Sequence, residues 1–140
     1  MKRALKSEND TKKFAYEVAT GVRKGGLICL IGELGTGKTT FTKYLCESLG
    51  AHKNEIKSPT YTYIQKYETP EFKIFHIDLY RLEGMDELLI KEIEEILADL
   101  GSIVIIEWAD RMLEFLPEKR FEIYFEFIGK DERTAEIKQK

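Results

Sequence analysis

The residues best placed to do chemistry are Gly32-Glu33-Leu34-Gly35-Thr36-Gly37-Lys38-Thr39, a complete G-x-x-x-x-G-K-[ST] spacing followed by Thr40. Glycines at this spacing let the backbone wrap an anion and aim its N–H groups inward. A helix beginning at the end of the loop adds positive potential at the same point. Lys38 is then expected to reach the β- and γ-phosphates of a nucleotide, and the Thr39 hydroxyl to coordinate Mg²⁺. The flanking sequence fits this phosphate-binding loop (P-loop): the apolar run Leu27–Ile31 precedes it, and Phe41, Leu45 and Leu49 recur on one helical face after it. A chance glycine turn would not come with both neighbours.

A phosphate loop that uses a divalent cation needs acids nearby. Glu107 follows the apolar run Ile103–Ile106, the Walker B pattern of a buried strand ending in an acid. Asp78 ends a second such segment, Phe75-His76-Ile77. Ligands of open α/β sheets bind at the carboxyl ends of the strands, so both acids are expected to face the phosphates. Glu107 is assigned to the metal shell with Thr39, and Asp78 to positioning the attacking water. Thr60, in Ser58-Pro59-Thr60-Tyr61, sits in a polar loop that could close over the γ-phosphate as switch loops do; plain turn chemistry is the competing reading. Trp108 follows Glu107. If Glu107 faces the site, period-2 alternation turns Trp108 away, which favours a core position over a rim reached by a partner. His52 and His76 show no metal-ligand spacing and read as structural, and Cys29 and Cys46 read as core thiols.

The elements that must position these residues are legible as one α/β domain spanning residues 1–140. Ser7 and Asp10 form a capping signal before Phe14, Ala15, Val18, Ala19 and Val22, which predicts a helix over residues 11–23. Strands are predicted at Leu27–Ile31, Tyr61–Tyr67, Phe72–Asp78 and Ile103–Ile106, the middle two forming a hairpin. A helix is expected over 86–99 with an acidic solvated face. Phe121, Ile123, Phe125 and Phe127 alternate with Glu122, Tyr124 and Glu126 as a half-exposed strand, and a last strand lies near Thr134–Lys138. The expected architecture is a P-loop NTPase-like three-layer sandwich: a mainly parallel central sheet, antiparallel edge strands, and helices on both faces.

Composition narrows the function. Among 140 residues the formal net charge is −3, and no block of Lys and Arg forms a basic face, so independent nucleic-acid binding is not expected. No apolar run approaches the roughly 20 residues of a membrane span, so no membrane partner and a cytoplasmic location are expected. The sequence lacks an N-K-x-D guanine motif, which favours ATP over GTP.

Taken together, GELGTGKTT, KSPTYTY, FHIDLYRL and IIEW, in this order, resemble the bacterial TsaE (YjeE) family over most of the chain. The resemblance implies an ATPase required for threonylcarbamoyladenosine modification of tRNA. It implies Mg²⁺ as cofactor, TsaD-like and TsaB-like subunits as partners, and tRNA contacted only through that complex. It places the phosphates on Glu33 to Thr40, namely Glu33, Leu34, Gly35, Thr36, Gly37, Lys38, Thr39 and Thr40. It puts Thr60 in a switch-like segment, Asp78 and Glu107 at the reaction centre, Thr11 near the adenine, and Arg133 beside the nucleotide. The family often has Asp and Ala where this chain has Glu33 and Thr36. Two other readings stay open at this point, a small-molecule P-loop kinase and a nucleotide-switched scaffold with little hydrolysis. The first would need an acceptor pocket and an Arg-rich lid, for which 140 residues leave little room.

Overall fold

The computed structural model describes residues 1–22, 25–52, 64–80, 82, 84, 86–129 and 132–139. Its order is β1 (Lys2–Leu5), α1 (Glu8–Val22), β2 (Gly26–Ile31), α2 (Lys38–Ser48), β3 (Ile64–Glu68), β4 (Lys73–Asp78), α3 (Glu87–Leu97), β5 (Ile103–Glu107), β6 (Phe121–Ile128) and β7 (Glu132–Gln139). Two short 3-10 turns, Ala109–Arg111 and Leu113–Phe115, follow β5. The strands form one sheet in the order β1-β7-β6-β2-β5-β4-β3. Its four central strands, β6, β2, β5 and β4, run parallel; β3, β7 and β1 pair antiparallel at the edges. The architecture is therefore the α/β sandwich expected from the sequence.

Strand alternation divides the core into two. Ile28, Leu30, Ile103, Ile105, Ile74, Ile123 and Phe125 face α1 and α2. Leu27, Cys29, Val104, Ile106 and Ile77 face α3 and the turns after β5. Phe41 joins α2 to the first core, with its ring 5.4 Å from both Phe14 and Phe125. Both faces of β2 are packed, Ile28 and Leu30 in the first core and Leu27 and Cys29 in the second, which explains why its sequence is apolar without alternation.

Helix α1 starts earlier than its apolar periodicity suggests because its cap is made: Ser7 Oγ accepts the Asp10 N–H, and Asp10 Oδ2 accepts the Lys6 N–H. Asp86 caps α3 by accepting from the amides of Leu88 and Leu89. Two expectations need correction. The half-exposed face assigned to the Phe121 strand contains Glu122, which is buried. Arg120 Nε donates to its Oε2 at 2.7 Å and the Tyr124 hydroxyl to its Oε1 at 2.6 Å, so a charge is tolerated where the pattern implied solvent. Strand β1 was not expected at all: three of its four residues are exposed, leaving no alternation to read.

Candidate functional site

The loop after β2 is shaped by backbone proximity. A Cβ on Gly32 would stand 2.6 Å from the Phe125 carbonyl oxygen, so only glycine lets the loop leave the sheet there. Gly37 then caps α2 in the left-handed region at φ 100°, and no side chain caps the helix. The first amides of α2 are thus free of side-chain acceptors at the mouth of the loop, an arrangement suited to an anion.

Lys38 opens α2 yet is only 4% exposed. Its ammonium donates to the carbonyls of Gly32 and, at 2.9 Å, Glu33. It also lies 4.1 Å from the centre of the Trp108 ring, a cation–π contact. Burial pushes the Lys38 pKa down, while Glu107, Asp110, Asp78 and Glu33 oppose that shift by their charges. An ammonium short of water and held by neutral carbonyls is well prepared to exchange them for phosphate oxygens.

The Thr39 hydroxyl donates to Glu107 Oε1 at 3.0 Å. Glu107 ends β5 and is 2% exposed; its other oxygen, Oε2, lies 2.5 Å from His76 Nε2 on β4. In the same register Asp78, at the end of β4, stands opposite Glu107. Asp78 Oδ1 accepts the Tyr80 N–H at 3.0 Å. Its pKa is raised by burial first and by the Glu107 charge second.

These groups meet around a cavity of about 230 Å³. It is lined by Leu34, Gly35, Gly37, Lys38, Thr39, Thr40, Asp78, Tyr80, Glu107, Trp108 and Arg133. A larger cavity, about 410 Å³, opens at the other end of the strands near Gly25, Gly101 and Arg120. Size does not locate the chemistry here; the smaller cavity holds the convergent cation, hydroxyl and carboxylates. Glu33 and Thr36 turn from it towards a separate hollow against β6, where the Thr36 hydroxyl donates to the Glu33 carbonyl at 2.6 Å. Arg133 reaches the rim from β7. Thr11 is buried in α1, donates to the Ser7 carbonyl and does not line the cavity. Thr60 and its loop lie outside the described residues.

The donor set suits Mg²⁺ joined to a nucleotide. Oxygen ligands are what this hard cation prefers, and it is commonly held by one or two carboxylates plus phosphates. Among the described residues there is no group of three or more His, Cys, Asp or Glu that could hold a metal ion.

Trp108 departs from the alternation expected of it. It is the only non-glycine residue with positive φ among the described residues, at 60°. β5 stops at Glu107, so the backbone turns at Trp108 instead of continuing as a strand. Its ring packs partly on the second core and also lines the cavity, 5.3 Å from Tyr80. His76, read as merely structural, is in contact with Glu107. The signal that could have found it is its position two residues before Asp78, on the same face of the same strand.

Comparison with known proteins places the chain in a family. The family model described as "Threonylcarbamoyl adenosine biosynthesis protein TsaE" matches residues 5–135. The tRNA threonylcarbamoyladenosine biosynthesis protein TsaE of Rickettsia bellii is 35% identical over 95% of this chain and 91% of its own length. The TsaE protein of Aquifex aeolicus is 36% identical over 96% of this chain and 91% of its own. The crystal structure of YdiB from Bacillus subtilis superposes with a TM-score of 0.75 at 32% identity, covering 96% of this chain and 82% of that one. No described helix is long and apolar enough to cross a membrane. With its phosphate loop, paired strand-end acids and these relatives, the chain belongs to the TsaE family.

Proposed function

We propose that the protein binds and hydrolyses Mg-ATP in the cytoplasm to support threonylcarbamoyladenosine modification of tRNA, together with TsaD-like and TsaB-like subunits. One observation carries the nucleotide assignment: the P-loop hydroxyl of Thr39 is hydrogen-bonded to the strand-end acid Glu107 beside the sequestered ammonium of Lys38. Lys38 and the amides opening α2 hold the phosphates; Thr39 and Glu107 face the metal. Bound Mg²⁺ would neutralise charge on the β- and γ-oxygens. Asp78, half-buried and beside Glu107, orients the attacking water. Arg133 on the rim and Thr11 on α1 flank the nucleotide, and Thr60 acts in the switch-like loop; these three assignments rest on the family resemblance. The names of the relatives support the tRNA pathway, and the net charge of −3 supports partners as the tRNA-binding surface.

The test is ATP turnover by the protein alone and with the TsaB–TsaD pair, with GTP as competitor. Turnover stimulated by the pair, with ATP preferred, is expected. Binding without turnover in either setting would leave a nucleotide-switched scaffold. Turnover that requires an added small hydroxyl acceptor would indicate a kinase.

A further inference from the structure

From the geometry around Glu107 we infer that His76 is a positioning residue: its imidazole, delivered from β4, fixes the Glu107 carboxylate for the metal side of the site. The inference rests on the assignment of Glu107 to the metal shell proposed above.

His76 is 2% exposed, sits on the sheet face that meets α1 and α2, and is paired in register with Ile105. Glu107 lies two residues further along β5, so the two side chains meet on the diagonal of a parallel strand pair. Nε2 stands 2.5 Å from Glu107 Oε2. The other ring nitrogen, Nδ1, is buried and has no hydrogen-bond partner among the described residues. That asymmetry selects a tautomer. A proton on Nδ1 would leave a buried donor unsatisfied and set the Nε2 lone pair against a carboxylate. With the proton on Nε2, the ring donates to Glu107, and Nδ1 keeps only a bare lone pair.

Glu107 is then held from two sides. Oε2 takes the His76 N–H and Oε1 takes the Thr39 O–H at 3.0 Å. Two donors on different elements, β4 and α2, stop the carboxylate from rotating. They also commit the Thr39 proton to Glu107, which leaves the hydroxyl lone pairs for a cation. His76 does not line the cavity. It acts through Glu107, as outer partners of metal-facing groups do.

The experiment compares the Mg²⁺ concentration needed for half-maximal binding of a fluorescent ADP analogue, with metal-free binding and melting temperature measured alongside. His76→Leu fills the space without a donor and should raise the Mg²⁺ requirement about 10- to 100-fold, leaving metal-free binding unchanged. His76→Gln, which can present an N–H near the position of Nε2, should restore the requirement to within about threefold of wild type. In a Glu107→Gln background, His76→Leu should add nothing. A wild-type Mg²⁺ requirement in His76→Leu, with Glu107→Gln impaired, would overturn the positioning role alone. An unimpaired Glu107→Gln would overturn the metal assignment beneath it. Should His76→Leu fail to fold, the unaltered protein still decides. Nitrogen-resolved imidazole spectra, assigned with His52→Gln, should show a proton on His76 Nε2; an Nε2 without a proton would overturn the inference.

Discussion

Asp78 and Glu107 stand directly opposite each other where β4 and β5 end, two carboxylates at one register position of a parallel strand pair. Their surroundings are unequal. Glu107 is buried, with both oxygens in contact with side-chain partners. Asp78 is half-buried, with a backbone amide on one oxygen. A carboxylate held at both oxygens suits a fixed metal contact, and one that lines the cavity with a single hydrogen-bond donor among the described residues suits a mobile water.

The two acids should therefore fail differently. Glu107→Ala is expected to weaken Mg²⁺-dependent nucleotide binding and cut turnover. Asp78→Asn should leave binding nearly intact and lower turnover in the assembled complex by about 10²-fold or more, the scale of general acid–base contributions. Mg²⁺ titration with ADP, then turnover with partner subunits, separates the roles; a raised Mg²⁺ requirement in Asp78→Asn alone would mean they are exchanged.

Asp78 also makes a prediction about stability and pH. Its folded pKa lies above the ordinary 3.8, so the folded state holds that proton more tightly than the unfolded chain. This contribution is fully present below about pH 3.8 and is lost as pH rises through the folded value. At pH 7 the ionised Asp78 thus destabilises the fold. Asp78→Asn, which can still accept the Tyr80 N–H, should melt a few degrees higher than wild type at pH 7. That gain should vanish on acidification. Calorimetry across pH 3–8 checks it, and a gain that persists at low pH would contradict the cause.

Lys38→Ala should lose about 10- to 100-fold in Mg-ATP affinity, the scale of one charge-assisted hydrogen bond. Its melting temperature should stay within a few degrees of wild type, because a desolvated ammonium contributes little to folding. Titration calorimetry reads the first and differential scanning the second. Wild-type affinity would remove Lys38 from the phosphate site.

Cys29 and Cys46 are buried, and burial pushes both thiols from 9.0 up to about 12. Few thiolates form in the folded protein at pH 8, so an aromatic disulfide reagent should label neither until denaturant is added. The same shift means that stability should fall as pH rises from 9 towards 12, since the unfolded chain gives up these protons first. Rapid labelling of the native protein would show that these sites open locally.

The candidate phosphate site was legible as a loop between a strand and a helix because its signals are local. Glycine spacing, an apolar run and a helical stripe all lie within a short stretch of chain, and Glu107 is announced by the four apolar residues before it. The contact between His76 and Glu107 was not, because it depends on the register between β4 and β5, 31 residues apart in sequence. Trp108 packs on the core as favoured, but its place on the cavity wall was hidden because alternation applies only while a strand continues. β1 gave no sign because an edge strand with one buried residue needs no pattern. The burial of Glu122 was hidden because the alternation does not reveal that Arg120 and Tyr124 donate to it.

The turn at Trp108 gives the protein its own optical reporter. The chain has one tryptophan, and its indole lies against the Lys38 ammonium, the group proposed to take up phosphate. With excitation selective for tryptophan over the seven tyrosines, intrinsic emission therefore reports the loop's resting state. Departure of Lys38 from the indole face should change intensity or wavelength as nucleotide is added, saturating with the binding isotherm, and Lys38→Ala should remove that response. Stopped-flow mixing could then time the switching of this site without a label.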